Sequence, residues 1–313
     1  MDVVLLFPGQ GSQKPGMGRD LADAFPAARD AFRAVDEALG VPLSRLCFEG
    51  PADELTLTHN AQPALLAHGA AAWAATRDTL APQVRAAAGH SLGEFTAYHA
   101  AGAVPLERAA RLVRQRGALM YDAGTERPGA MAAILGDTRG PIEAICERAT
   151  REAGLTVPAN YNSPGQVVIS GEVAGVERAM ELAKAAGAKR AVRLSVSGAF
   201  HSPLMRPACD GLRDALEGAG VSDAAFPIYA NVNAAPTTSA DQITRLLLEQ
   251  LTSPVQWIAV VRGLAERHPE ALYVEMGPGA VLTGLVRKIA PQLRTATCGT
   301  AAEADQLLQG VAV

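Results

Sequence analysis

The 313-residue sequence predicts an α/β fold in which a second, smaller α+β unit is inserted into a larger one. Three observations carry that expectation. The N-terminal apolar run Met1-Asp2-Val3-Val4-Leu5-Leu6-Phe7 ends at Pro8-Gly9 and reads as a first buried strand. A strand, a tight turn and a helix are written around the pentapeptide Gly89-His90-Ser91-Leu92-Gly93. Between about residues 127 and 197 the rhythm changes to six short elements in the order β-α-β-β-α-β.

Taken in order, the first strand leads into the loop Pro8-Gly9-Gln10-Gly11-Ser12-Gln13, and Ala-rich helices run to about residue 80. Val84 to Ala88 is a short strand of mostly small apolar residues, and Glu94 to Ala101 is rich in helix formers and stops at Gly102. A long helix spans about Pro105 to Asp122. The insertion then reads as strand Ala130–Leu135, helix Pro141–Ala153 and strands Thr156–Asn160 and Gln166–Ser170 around Asn162-Ser163-Pro164-Gly165. Helix Val173–Ala186 and strand Arg190–Val196 complete it. That order is the split ferredoxin-like pattern, able to form its own small domain. The expected division is 1–126 and 198–313 for the large domain and 127–197 for the small one, with a cleft between them.

Composition narrows the function classes. With 49% hydrophobic and 19% charged residues the chain is that of a soluble globular protein. A net charge of -4 offers no basic footprint for nucleic acid. The N-terminal apolar run is too short for a membrane span and lacks the basic start of a signal peptide. The four cysteines, Cys47, Cys146, Cys209 and Cys298, are scattered without a C-x-x-C pair. They imply reduced thiols in a cytoplasmic protein, and neither a metal nor a disulfide framework.

Gly89 to Gly93 fits the G-x-S-x-G elbow, in which a sharp strand-to-helix turn presents a serine hydroxyl at a helix N-terminus. Ser91 is therefore the candidate nucleophile, and a serine needs a positioned base. Six histidines are available. His68 and His99 lie in Ala-rich helical stretches and read as packed or surface residues; His59 and His268 read as loop or helix-end residues. His90 adjoins the serine, so its ring is expected to point away and to play a supporting part. His201 precedes Ser202-Pro203, a helix start with Ser202 as N-cap, whose dipole would favour the neutral imidazole that a base requires.

The loop Gly9-Gln10-Gly11 lacks the third glycine of a dinucleotide fingerprint, with Lys14 in its place. It can instead offer a backbone N–H to a developing oxyanion, which makes the N–H groups of Gln10 and Leu92 the candidate donors. At about 100° per residue, Leu106, Ala109, Ala110, Leu112, Val113, Leu119 and Met120 share one arc of their helix, and Arg116 falls inside it. Such an arginine either snorkels to water, pairs with an acid, or awaits an anion at the cleft. In the last case its planar fork matches a carboxylate, so the acyl group attacked would carry one.

These residues, with others along the chain, resemble the malonyl-CoA:acyl carrier protein transacylases. The matching segments include Phe7 to Gln13, Gln62-Pro63-Ala64, Gly89 to Glu94, Arg116-Gly117 with Met120, and Asn160 to Gly171. Gly198 to Met205, Asn231-Val232-Asn233, Gln250-Leu251, Pro254 to Trp257 and Glu275 to Gly279 continue the match over essentially the whole length. The resemblance implies a hydrolase-like α/β body with a parallel sheet core and a ferredoxin-like insertion. It implies Ser91 as acyl-accepting nucleophile, His201 as base, Gln10 and Leu92 N–H as oxyanion donors and Arg116 as clamp on the malonyl carboxylate. The missing triad acid is explained by a backbone carbonyl, mapping to Gln250, that orients His201. Gln62, Asn160 and His90 become pocket residues, and Phe200 crowds a 2-methyl branch. Malonyl-CoA and acyl carrier protein are the implied partners of a monomer, with no metal or redox cofactor. A thioesterase, a non-catalytic carrier-docking module and a malonate-decarboxylase or polyketide-pathway acyltransferase are the rival readings.

Overall fold

The computed structural model describes residues 1–196 and 198–311. Ser197, the last residue of the expected insertion, and residues 312 and 313, which end the expected large domain, lie outside the described residues. Among the described residues the ten strands are β1 (Val3–Phe7), β2 (Val84–Gly89), β3 (Gly129–Leu135), β4 (Thr156–Ser163), β5 (Gln166–Glu172), β6 (Arg190–Arg193), β7 (Ile228–Tyr229), β8 (Pro236–Thr237), β9 (Leu272–Glu275) and β10 (Arg294–Thr297). They form two sheets, one per unit.

The six-stranded sheet has the order β10-β9-β1-β2-β7-β8, parallel except for β8 at its edge. Side chains alternate across a strand, and both faces of the centre are covered. Val3, Leu5, Phe7 and Ala87 face one apolar layer that includes Phe32 and Leu66. Val4, Leu6, Ala86 and Ala88 face another built on Trp257, Val260 and Val286. Strands buried on both faces read as continuous apolar runs, which is why β1 was legible as one.

The second sheet has the order β4-β5-β3-β6, entirely antiparallel. Helices Ile142–Ala153 and Val173–Ala185 cover one face through Ile145, Ala149, Val176 and Ala179. Several boundaries differ from expectation: β5 runs two residues past Ser170 to Glu172, the long helix is Leu106–Glu126, four residues past Asp122, and two further shifts bear on the cleft. β4 runs on to Ser163, because its pairing with β5 continues through Tyr161 with Val167 to Ser163 with Gln166; its outer edge also bonds the large unit, Tyr161 N–H donating to the Val255 carbonyl at 2.9 Å and Val255 N–H to that of Ala159 at 2.8 Å. β6 stops at Arg193, three residues short of the expected Val196; Leu194 N–H still bonds the Met131 carbonyl of β3 at 2.9 Å, and Leu194 to Val196 line the cleft.

Candidate active site

β2 ends at Gly89 and the helix Leu92–Ala100 begins two residues after His90, with Ser91 as its N-cap at φ 51° and ψ -103°. A non-glycine residue there is strained, and the surroundings hold it in place. A Cβ on Gly93 would lie 1.9 Å from the Phe7 carbonyl oxygen, so β1 and the turn can meet only at glycine. The spacing Ser91-x-x-Glu94 also fits a capping box, in which the serine hydroxyl would bond its own helix. Here the hydroxyl makes no cap bond. Asn231 holds the turn in its stead: its Oδ1 accepts from Ser91 N–H at 2.7 Å and its Nδ2 donates to the Gly89 carbonyl at 2.7 Å. The nucleophile is thereby left free for chemistry.

Ser91 Oγ lies 2.7 Å from His201 Nε2, and His201 Nδ1 lies 2.9 Å from the Gln250 carbonyl oxygen. A carbonyl can only accept, so Nδ1 carries the proton and Nε2 presents its lone pair to the hydroxyl. Burial, then the nearby Arg116 charge, pulls the imidazole down to about 3, with the Gln250 carbonyl opposing. The dipole account from the sequence needs correction. Ser202 does accept from Leu204 N–H at 3.3 Å, but it opens a 3₁₀ turn, Pro203–Ala208, and the α-helix starts only at Cys209. Desolvation and a cation, not a helix dipole, keep this base neutral.

Arg116 is 1% exposed. Of the three outcomes open in the sequence, it neither snorkels nor meets an acid within ion-pair distance. Its Nη1 donates to Gln62 Oε1 at 2.7 Å, and its Nη2 to Gln250 Oε1 at 2.9 Å and Ser91 Oγ at 3.2 Å, while Nε has no partner. The guanidinium carbon stands 5.0 Å from the centre of the Phe95 ring. Burial lowers the group to about 10, which leaves it cationic at neutral pH.

These groups border a cavity of about 340 Å³ between the two units. Gln10, Leu92 and Phe200 reach it from the large unit, and Met131, Asn160 and Leu194 from the insertion. The elbow amides of Ser91, Gly93 and Glu94 bond to Asn231, His90 and Ser91, leaving the Leu92 N–H at the first helical turn beside the cavity. His90 also borders it, but its Nε2 bonds Asn162 Oδ1 at 2.8 Å across to the insertion. Gln62, read from the sequence as a pocket residue, is instead buried behind Arg116, bonded to it and to Met120 Sδ. Two residues received no role in the sequence reading. Glu94, fully buried and raised by burial to about 7, bonds Gln250 Nε2 and Asn231 N–H. An acid surrounded in sequence by Leu92, Gly93, Phe95 and Thr96 was the available signal; for Asn231, far along the chain from the elbow, local sequence held none.

Among the described residues no group of three His, Cys, Asp or Glu could hold a metal ion, and no helix is long and apolar enough to cross a membrane. Residues 4–303 match the family model of the acyl transferase domain. The malonyl CoA-acyl carrier protein transacylase of Bacillus subtilis is 46% identical over 294 residues, 94% of this chain and 92% of its own length. That of Escherichia coli K12 is 43% identical over 288 residues, 92% and 93% of the two chains. The crystal structure of acyl-carrier-protein-S-malonyltransferase from Bartonella henselae superposes with a TM-score of 0.94 at 43% identity, covering 100% of both. A malonyl-transacylase in complex with its type II PKS acyl-carrier protein gives 0.94 at 41% identity, covering 99% and 100%. With a serine elbow, a histidine base and a buried arginine on one cavity, and these likenesses over nearly the whole chain, the protein belongs to the malonyl CoA-acyl carrier protein transacylases of the acyl transferase family.

Proposed function

We propose that this protein transfers malonyl groups from malonyl-CoA to the phosphopantetheine thiol of acyl carrier protein through a malonyl-Ser91 intermediate, supplying fatty-acid synthesis. One observation carries the substrate: a cationic guanidinium, almost fully buried and with no acid within ion-pair distance, borders the cavity and abuts the nucleophile. A buried cation with no directly paired acid is costly; the Glu94 carboxylate favours the charge only from beyond ion-pair distance, and a substrate carboxylate placed on Arg116 lowers the remaining cost.

With the carboxylate on Arg116, Ser91 Oγ attacks the thioester carbonyl carbon while His201 Nε2 takes its proton. The tetrahedral oxyanion accepts hydrogen bonds from the N–H groups of Leu92 and Gln10. The C–S bond breaks, the imidazolium returns its proton to the departing sulfur, and CoA leaves. The carrier thiol then gives its proton to His201, attacks the malonyl ester, and the Ser91 C–O bond breaks with the proton returned to Oγ. Nothing is oxidised or reduced, and acyl exchange between oxygen and sulfur calls on no metal or redox cofactor. The bound carboxylate also offsets the Arg116 charge that holds His201 down, so the base strengthens when substrate arrives. All of these groups come from one chain, which supports a monomer as the proposed working unit, and a place in fatty-acid synthesis supports the cytoplasm as its proposed location.

Intact-mass measurement after incubation with malonyl-CoA tests the reading. A gain of one malonyl group in the wild type and none in Ser91→Ala is expected, with the adduct persisting until a carrier thiol is added. No adduct, an adduct on both, or one that hydrolyses within a turnover overturns it, the last in favour of a thioesterase.

A further inference from the structure

The elbow helix carries a buried carboxylate that the transfer chemistry leaves without a part. Glu94 Oε2 accepts from Gln250 Nε2 at 2.7 Å and from Asn231 N–H at 3.1 Å. Each partner is itself fastened to the reacting groups. The Gln250 carbonyl accepts from His201 Nδ1, its Oε1 accepts from Arg116 Nη2, and its Nε2 also donates to the Ser91 carbonyl at 3.0 Å. Asn231 Oδ1 accepts the Ser91 N–H. One carboxylate thus terminates two bridges, one to the clamp and the base and one to the nucleophile's backbone.

The terminal torsion of a glutamine is soft and nearly two-fold. Its orientation comes from its partners. An acceptor at Glu94 draws the Gln250 NH₂ group toward itself and leaves Oε1 for the guanidinium; a reversed amide would set N–H against N–H at Arg116. The same side chain belongs to the residue whose backbone carbonyl aligns His201, so a shift of Gln250 disturbs clamp and base together.

We propose that Glu94 is a positioning residue that, through Gln250, holds the Arg116 guanidinium and the His201 imidazole in register with Ser91. Selection of a carboxylate-bearing acyl group and activation of the nucleophile then depend on one buried anchor. The inference rests on the malonyl-transfer reading above.

The test is a double-mutant cycle on Ser91 acylation rates, read by quenched intact-mass measurement with malonyl-CoA and with acetyl-CoA. Its members are the wild type, Glu94→Leu, Gln250→Ala, which keeps the backbone carbonyl, and the double variant. Each single change should slow malonylation about 10²-fold, the scale of a misplaced reacting group, and acetylation by less. The double variant should be no slower than the worse single, because Glu94 acts through the amide that Gln250 supplies. Glu94→Gln, which keeps an acceptor, should recover most of the rate. Losses that multiply in the double variant, or equal losses for malonyl and acetyl in Glu94→Leu, overturn the proposal. Should the leucine variant not fold, Glu94→Asp, which withdraws the carboxylate by one methylene, carries the same cycle with the same two overturning results. A wild type that is not malonylated on Ser91 would overturn the transfer reading instead, so the two failures are distinguishable.

Discussion

Arg116 Nη2 stands 3.2 Å from Ser91 Oγ, so the proposed carboxylate clamp touches the proposed nucleophile. The two carbonyl carbons of a malonyl group are separated by a single methylene, about 2.5 Å apart given C–C bonds of ~1.5 Å. A three-carbon diacid can therefore reach from one residue to the other.

Arg116→Ala should accordingly lose malonyl transfer by about 10²-fold or more, the cost of removing one member of a buried, hydrogen-bonded charge pair, while transfer of uncharged acetyl falls far less. Side-by-side kcat/KM values for malonyl-CoA and acetyl-CoA decide the matter. Equal losses would refute the clamp.

The same arginine should contribute, after burial, to the acid limb of catalysis. His201 is held near 3 by burial and then by the Arg116 charge, and removing a neighbouring cation favours the imidazolium. In Arg116→Ala the protonation of His201 moves toward its ordinary value, so the fall in acetyl transfer on acidification should begin at higher pH than in the wild type. An unshifted limb would mean that desolvation alone depresses the base. For stability the sign also runs toward acid lability. A histidine with a folded value near 3 and an unfolded value of about 6.5 binds more protons unfolded between the two, so its contribution is lost as pH falls through that window. His68, buried and lowered to about 4, adds in the same direction over most of it. Glu94, raised to about 7 from 4.5, has the opposite sign: its contribution is present below its unfolded value and lost as pH rises toward its folded one.

What the sequence revealed of the site depended on how local each signal was. Ser91 was legible because strand, glycine turn and helix occupy neighbouring residues, and Arg116 because a 3.6-residue period exposes a charge on an apolar arc. The His201–Gln250 contact joins residues 49 apart in the chain, so no spacing reveals it, and the family resemblance had to supply it. The reason for the neutral base was misread for the same cause: a helix dipole can be inferred from Ser202-Pro203, whereas desolvation and Arg116 act through the tertiary structure. In the fold, β1 and the six elements of the insertion were readable from apolar runs and turn residues. β7 and β8, at two residues each, are too short to carry a period, and β6 fell short because the cleft claims Leu194 to Val196.

Strain at the nucleophile predicts a trade between stability and activity. Ser91 is held at φ 51°, where glycine sits without a Cβ penalty. Ser91→Gly should therefore be inactive yet more stable than Ser91→Ala, by about 1 kcal/mol, the scale of one strained backbone residue. Paired thermal melts measure it. A glycine variant that melts at or below the alanine variant would mean that the turn costs nothing at this position.

The cavity wall at Phe200 makes the last prediction. Phe200 borders the cavity, only 6% exposed, on the large-unit side opposite Met131 and Leu194 of the insertion. A 2-methyl branch on the bound acyl group needs room that the ring occupies if Phe200 faces that carbon. Discrimination of one methyl group in an apolar pocket is worth about 1–3 kcal/mol, so exclusion of methylmalonyl by shape alone is finite. Phe200→Ala should raise the methylmalonyl-to-malonyl ratio of kcat/KM by about 10- to 200-fold. Most of the change should come from faster methylmalonyl transfer, because Arg116 still fixes the carboxylate of either substrate. A ratio that stays constant while both rates fall would assign the ring to packing against the His201 turn, and the methyl would then have to be sensed elsewhere on the wall.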